Sequence, residues 1–219
     1  MSVNETNEPS QTGVTYGPDD VSDLGGESLY SGFFKFEKHH YQYRRFDGTW
    51  SAKVDREVHV RPDAVAVMLY DPARDKVVLV EQIRAGVVAR LSHGGQAQSP
   101  WLLEPVAGLI DTDESPEEVA RREVKEEANC EVDELISLYQ YYSSPGASCE
   151  RIHLFCALID SSPVGGVHGL AEENEDIKVH VLPFSEAQAM MKDGRIDNGM
   201  TLISLQWLAA ERASLRARS

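Results

Sequence analysis

Apolar residues in this chain gather in short runs broken by turn residues, a strand-like texture that yields to helical spacing around residues 116–128 and again in the tail. The run "LYSGFFKFEKHHYQYRRFDGTWSAKVDREVHV" mixes aromatic and β-branched residues with charges, and its Asp47-Gly48 pair predicts a turn between two strands. "AVAVMLYDPARDKVVLVEQIR" predicts a second hairpin, two apolar strands about Asp71-Pro72. "AGVVARLSHGGQAQSP" reads as a loop ending at Pro100, and "WLLEPVAGLI" as one short apolar strand. Strands are expected in "ELISLYQYY", "RIHLFCALI" and "IKVHVLPF". Residues 160–176, which end in "HGLAEENED", read as a long acidic-tipped loop before the last of these. Two helices close the chain, one from a Ser185 cap to Gly194 and one over "TLISLQWLAAERASLRAR". Residues 1–27, rich in Asn, Ser, Thr, Gly and Pro, predict a flexible arm. Residues 28–60 then form a small β domain and 61–219 the main domain, and this order of elements predicts an α+β sandwich.

The middle helix carries the chemistry. Ser115, Pro116 and Glu118 stand as N-cap, N1 and N3 of a capping box, so the helix should run from Pro116 to about Ala128. At ~100° per residue, Glu123 and Glu127 lie one turn apart, Glu126 shares their face, and Ala120, Val124 and Ala128 make an apolar stripe beside it. Eight carboxylates fall between Asp111 and Glu127. One reading is a solvated acidic helix; under the other, Asp111, Asp113 and Glu117 remain surface charges and Glu118 a cap. However, Glu126 and Glu127 sit late in the helix, where the macrodipole disfavours anions, and Glu123 and Glu127 face each other. A hard divalent cation with oxygen ligands turns that repulsion into binding, which is the second reading.

Composition narrows the partners. At 219 residues the chain suits one large domain or two small ones, and 42% hydrophobic with 26% charged residues is ordinary for a soluble enzyme. A net charge of -15 argues against nucleic acid or an anionic membrane as partner, and it obliges any phosphate-bearing substrate to find local positive charge. Cys130, Cys149 and Cys156 form no C-x-x-C pair, which predicts buried thiols in a reducing compartment. His39, His40 and His168 have no metal-ligand spacing. "MSVNETNEPSQTGVTYGPDD" lacks the apolar core of a signal peptide, and no apolar run reaches the ~18 residues of a membrane span, so a cytoplasmic protein is expected.

Gly108, five residues, Glu114, seven residues, then Arg122-Glu123-Val124-Lys125-Glu126-Glu127 resembles the Nudix box, departing from it at Asn129 and Cys130. The likeness extends through "PWLLEPVAG", "SSPGASCE", "HGLAEENEDIKVHV" and "IDNGMTLISLQWL", and is closest to ADP-ribose pyrophosphatases of the bacterial homodimeric type. That resemblance implies an αβα sandwich, with an N-terminal antiparallel β domain swapped across a homodimer. It implies two or three Mg2+ ions per site, with Mn2+ as a substitute, held by the Ala107 carbonyl, Glu123, Glu127 and Glu175, with Glu126 beside them. Glu173 becomes the base that activates water, and Arg84 the holder of the diphosphate. Arg56, with Phe33 from the other subunit, would enclose adenine, and Pro145 is the group's usual mark of ADP-ribose preference. Phe34, Glu57, Arg61, Leu109, Ser144, Gly146 and Glu150 correspond to further substrate contacts. The implied reaction is hydrolysis of ADP-ribose to AMP and ribose 5-phosphate. The alternatives are another nucleoside diphosphate sugar as substrate, or an inactive ADP-ribose-sensing module. Residues 85–100 look longer and more Gly-rich than in that group, which bears on substrate range.

Overall fold

A computed structural model of the chain describes residues 13–170, 172 and 174–217, in two compact units. The first comprises the chain up to Arg61 together with Ser144–Cys149, and the second Pro62–Ser143 with the chain from Glu150 onward.

The first unit is a three-stranded antiparallel sheet in the order β1 (Val21–Ser31), β2 (Lys35–Tyr43), β3 (Val54–Val60). Strand β1 begins at Val21, inside the segment read as a flexible arm, so that reading does not hold for the residues from Val21 onward. The misleading signal is Gly25-Gly26. Gly25 has φ +87°, the pairing register shifts between Asp23 and Gly26, and a Cβ on Gly26 would lie 2.9 Å from the Lys38 carbonyl oxygen. The two glycines serve a bulge within a strand rather than a loop. None of these three strands contains a buried residue, and Tyr30, Phe33 and Phe46 are largely exposed. The "SSPGASC" turn is tied to β3, where the His59 N–H donates to the Ala147 carbonyl at 2.8 Å.

The second unit is a mixed sheet between two helical layers. Strands β4 (Ala64–Asp71) and β5 (Lys76–Ile83) form the apolar hairpin that the sequence foretold. Helix α1 (Ala85–Ser92) follows, then β6 (Trp101–Glu104), β7 (Val106–Leu109), α2 (Pro116–Ala128), β8 (Ile136–Tyr142), β9 (Arg151–Leu158), β10 (Gly166–His168), β11 (Ile177–Pro183), α3 (Phe184–Lys192) and α4 (Gly199–Arg216). The main path is β10-β11-β5-β4-β9-β8, with β6 paired to β5 and β7 to β4. Every residue of β4 is buried, as expected of a strand covered on both faces. Its alternating side chains divide the core. Val65, Val67 and Leu69 pack with Val119, Ala120, Val124 and Ala128 of α2, while Met68 and Tyr70 pack with Phe184 of α3 and Leu205 and Leu208 of α4. The result is an αβα sandwich.

Four local readings change. Residues 85–92 are helix α1 rather than loop. The strand expected over 101–110 is two strands, because Pro105 has no N–H to give a ladder and the chain passes there from β5 to β4. The long loop before β11 holds the short strand β10. Helix α3 starts at Phe184, without a Ser185 cap.

Asp71, 1% exposed at the end of β4, accepts hydrogen bonds from the Ser161 N–H and hydroxyl and from the Arg74 N–H. Burial alone would raise its carboxyl, but these donors outweigh burial and hold it at about 2, from an ordinary 3.8. A depressed folded-state value means that the stabilisation is present above about pH 4 and is lost as pH falls toward 2. We therefore expect Asp71→Asn to cost about 2 kcal/mol at neutral pH. Denaturant melts at pH 7 and pH 2.5 check this, since the gap between wild type and variant should shrink at the lower pH.

Candidate active site

Helix α2 is specified locally. The Ser115 hydroxyl accepts from the Glu118 N–H at 3.3 Å, and the Glu118 carboxylate accepts from the Ser115 N–H at 2.8 Å. The helix ends with Asn129 in the left-handed conformation, φ 50° and ψ 32°, which Asn tolerates where the Nudix pattern has Gly. Its apolar stripe enters the core and fixes its rotation against the sheet, so Glu127 is carried inward (2% exposed) while Glu123 and Glu126 stay half-buried.

Around Glu127 the sheet supplies donors. One oxygen accepts from the Ala107 N–H at 3.1 Å and the other from Gln82 Nε2 at 3.3 Å. Burial pushes its carboxyl up to about 8, opposed by the Ala107 hydrogen bond and reinforced by the charges of Glu123 and Glu175. Glu123 is pushed up to about 7, first by burial, with Arg122 opposing and Glu126 and Glu175 adding to the rise. Glu123, Glu127 and Glu175 thus feel one another as like charges, although Glu175 comes from the distant "AEENED" loop. Glu175 accepts from the Leu170 N–H at 3.1 Å. Arg122 joins Glu114, Glu123 and Glu126 at 3.3, 2.8 and 3.1 Å, which makes it the organiser of the acidic face. Gly108 lets β7 approach α2, because a Cβ there would meet Glu123 Oε1 at 2.1 Å.

Arg84, the N-cap of α1 just after β5, closes this group. Its Nε donates to Glu104 at 2.5 Å, and its charge also reaches Glu127. Among the described residues, no three His, Cys, Asp or Glu side chains close on a single point; the carboxylates are turned onto the chain's own donors. The donor set nonetheless fits a hard divalent cation. It offers carboxylate oxygens, partly buried and raising one another, with the backbone of Ala107 alongside. Glu173 lies outside the described residues.

The remaining candidates divide between the units. In the second, Glu150 is buried and accepts from the Ser143 hydroxyl at 2.6 Å, and Leu109 is half-buried at the end of β7. In the first, Phe33 lies edge-on to Phe34 at 4.7 Å, and the Arg61 guanidinium stands 4.8 Å from the Phe34 ring centre. His59, assigned no role from sequence, stacks on Phe36 at 4.8 Å. Arg56 and Glu57 are exposed on β3, as are Ser144, Pro145 and Gly146 on their turn. Cys149 is exposed rather than buried, its sulfur beside the His59 and Arg61 carbonyls. Two residues of the acidic site escaped sequence reading, Gln82 and Glu104. The available signal was strand alternation, which puts Gln82 on the same face as Val78 and Val80, and the apolar Trp101-Leu102-Leu103 run that Glu104 ends.

A NUDIX domain model matches residues 60–201. The chain belongs to the Nudix family. Within that family it is similar to an ADP-ribose pyrophosphatase of Haemophilus influenzae, 45% identical over 197 residues that cover 90% of this chain and 89% of the other. It is 40% identical to an ADP-ribose pyrophosphatase of Escherichia coli over 208 residues, 95% of this chain and 97% of that one. A GDP-mannose pyrophosphatase of Pectobacterium atrosepticum is 40% identical over a shorter 174 residues, 80% of this chain and 86% of its own. The Nudix match spans α2, strand β7 with Ala107, the start of α1 with Arg84 and the loop that holds Glu175, so the family and the acidic site coincide.

Proposed function

We propose that this protein hydrolyses the diphosphate bond of ADP-ribose, giving AMP and ribose 5-phosphate, with Mg2+ as cofactor. The observation that carries the reading is the buried Glu127, set against Glu123 and Glu175 as like charges. Charges so placed are costly unless a cation joins them. The Ala107 carbonyl, Glu123, Glu127 and Glu175 would hold two or three Mg2+ ions, or Mn2+ in their place, with Glu126 in support. Cations bound there would supply positive charge against the phosphoryl oxygens and a more acidic water. Glu173 takes the proton from the attacking water as it adds to phosphorus and the bridging P–O bond breaks. Arg84 grips the diphosphate, Arg122 keeps the acidic face in order, and Glu150 and Leu109 line the approach.

Adenine is enclosed by Arg56 and by Phe33 from a second copy, in a homodimer formed through the swapped N-terminal β domain. The exposed aromatics of that sheet support the dimer, since its strands bury no residue of their own. Phe34, Glu57, Arg61, Ser144, Pro145 and Gly146 supply the remaining contacts. The protein works in the cytoplasm on a small nucleotide sugar, without nucleic acid or membrane as partner. Among the described residues no helix is long and apolar enough to cross a membrane.

A second reading, another nucleoside diphosphate sugar as substrate, is favoured by the likeness to the GDP-mannose pyrophosphatase. Purified protein assayed by release of the nucleoside monophosphate should cut ADP-ribose in Mg2+, stop in EDTA, and scatter light as a dimer. Faster turnover of GDP-mannose would select the second reading. Binding of ADP-ribose without turnover of any diphosphate sugar would make the protein a sensor.

A further inference from the structure

Arg84 and Glu104 form a pair whose two halves sit in different surroundings. The Glu104 side chain is 4% exposed and the Arg84 side chain 37%. Glu104 lies on β6 opposite Val80 of β5, facing α2, and Arg84 directly follows β5 as the N-cap of α1, where its N–H donates to the Pro100 carbonyl. The carboxylate is thus rooted in the sheet core, and the guanidinium reaches from it toward solvent and the charge of Glu127. A guanidinium has one N–H on Nε and four on its two Nη atoms. Contact between Nε and Glu104 at 2.5 Å takes the inner donor and leaves the Nη atoms for a ligand. It also compensates the charge of Arg84. The other arginine of the acidic face, Arg122, is already committed to Glu114, Glu123 and Glu126. Arg84 therefore offers the diphosphate directed hydrogen bonds more than net positive charge.

We propose that Glu104 is a positioning residue, which presets the Nη edge of Arg84 to receive the substrate diphosphate. The proposal rests on the reading of Arg84 as the diphosphate grip. A preset fork loses less freedom on binding, so the effect belongs in KM rather than in the chemical step. Charge and reach can be separated. Glu104→Asp keeps the charge but withdraws the carboxylate by one methylene, while Glu104→Gln keeps the length and an acceptor oxygen but drops the charge.

The experiment is steady-state kinetics at saturating Mg2+, using whichever nucleoside diphosphate sugar the wild type cuts fastest, with melting temperatures alongside. Glu104→Asp should raise KM about tenfold with kcat within about threefold, and Glu104→Gln should stay within about threefold in both. Arg84→Lys, which lacks the fork, should also raise KM about tenfold, and the Glu104→Asp/Arg84→Lys double variant should be no worse than Arg84→Lys alone. Equal KM for the Asp variant and wild type, or additive losses in the double variant, overturns the proposal. So does a loss common to Asp and Gln that follows melting temperature, since that marks a structural role only. If Glu104→Asp does not fold, Glu104→Ala, which removes the acceptor altogether, takes its place in the cycle with Arg84→Lys. Should Arg84→Ala leave KM unchanged, the grip reading fails and the proposal with it, whereas a change of best substrate touches only the assigned specificity.

Discussion

Glu127→Gln should lower kcat by ~10³-fold or more while leaving the fold intact. Glu127 is the most buried carboxylate of the acidic helix, and its oxygens already meet the Ala107 N–H and Gln82 Nε2. Gln is nearly the same shape and can still accept from Ala107, so packing survives and only the charge goes. Without that charge the site loses a ligand for the cation, and developing charge at phosphorus loses its counterweight. Stability should move the other way. A buried carboxylate pressed by Glu123 and Glu175 destabilises the folded chain, so in EDTA the variant should melt at the same temperature as wild type or higher. Adding Mg2+ should raise the melting point of wild type more than that of the variant. The same titration separates ligand from base, because a Glu173→Gln defect should persist at any Mg2+ concentration, while weakened ligation should recover in part. Turnover of Glu127→Gln within about tenfold of wild type at saturating Mg2+ would remove Glu127 from the site.

How much of this was legible before folding depends on how local the determinant is. Helix α2 was readable to the residue, because its start is a capping box closed within four positions and its stop is one Asn in the left-handed region. Helix α1 was not, since it has no side-chain cap, carries Gly86, Val87 and Val88 in its first turn, and buries no residue that would impose a period. Gly25-Gly26 misled for the opposite reason. The same dipeptide serves a loop or a bulge, and only pairing with β2 decides which. Gln82 and Glu104 stayed hidden because their roles come from across the sheet. Gln82 reaches Glu127 because it follows Val78 and Val80 on the face toward α2, and Glu104 meets Arg84 because β6 pairs with β5. Ala107 and Gly108 could be named only through the family pattern. Their spacing says nothing of the close approach of β7 to α2 that gives them their place.

That approach supports the second large effect, expected for Gly108→Ala. A methyl group on Gly108 would lie 2.1 Å from Glu123 Oε1, 2.2 Å from its Cδ and 2.4 Å from its Cγ. No real contact is so short, so something must move. Gly108 is not in the left-handed region, and the backbone conformation itself suits alanine. The obstacle is the outer part of one flexible side chain, so the cheapest response is a new rotamer for Glu123. Strand β7 and helix α2 then keep their packing, and the melting temperature should fall by only a few degrees. Function has no such latitude. Moving the Glu123 carboxylate takes it away from Glu127 and Glu175 and breaks its 2.8 Å contact with Arg122. A displacement of about 1 Å at a reacting centre costs on the order of 10²-fold, and kcat should fall by at least that much. The effect must also pass through Glu123, so Gly108→Ala combined with Glu123→Gln should be hardly worse than Glu123→Gln alone. Two independent losses that multiply would mean that Gly108 acts by another route, such as the Ala107 carbonyl beside it. Wild-type kcat in Gly108→Ala would mean that Glu123 is not held where the chemistry needs it.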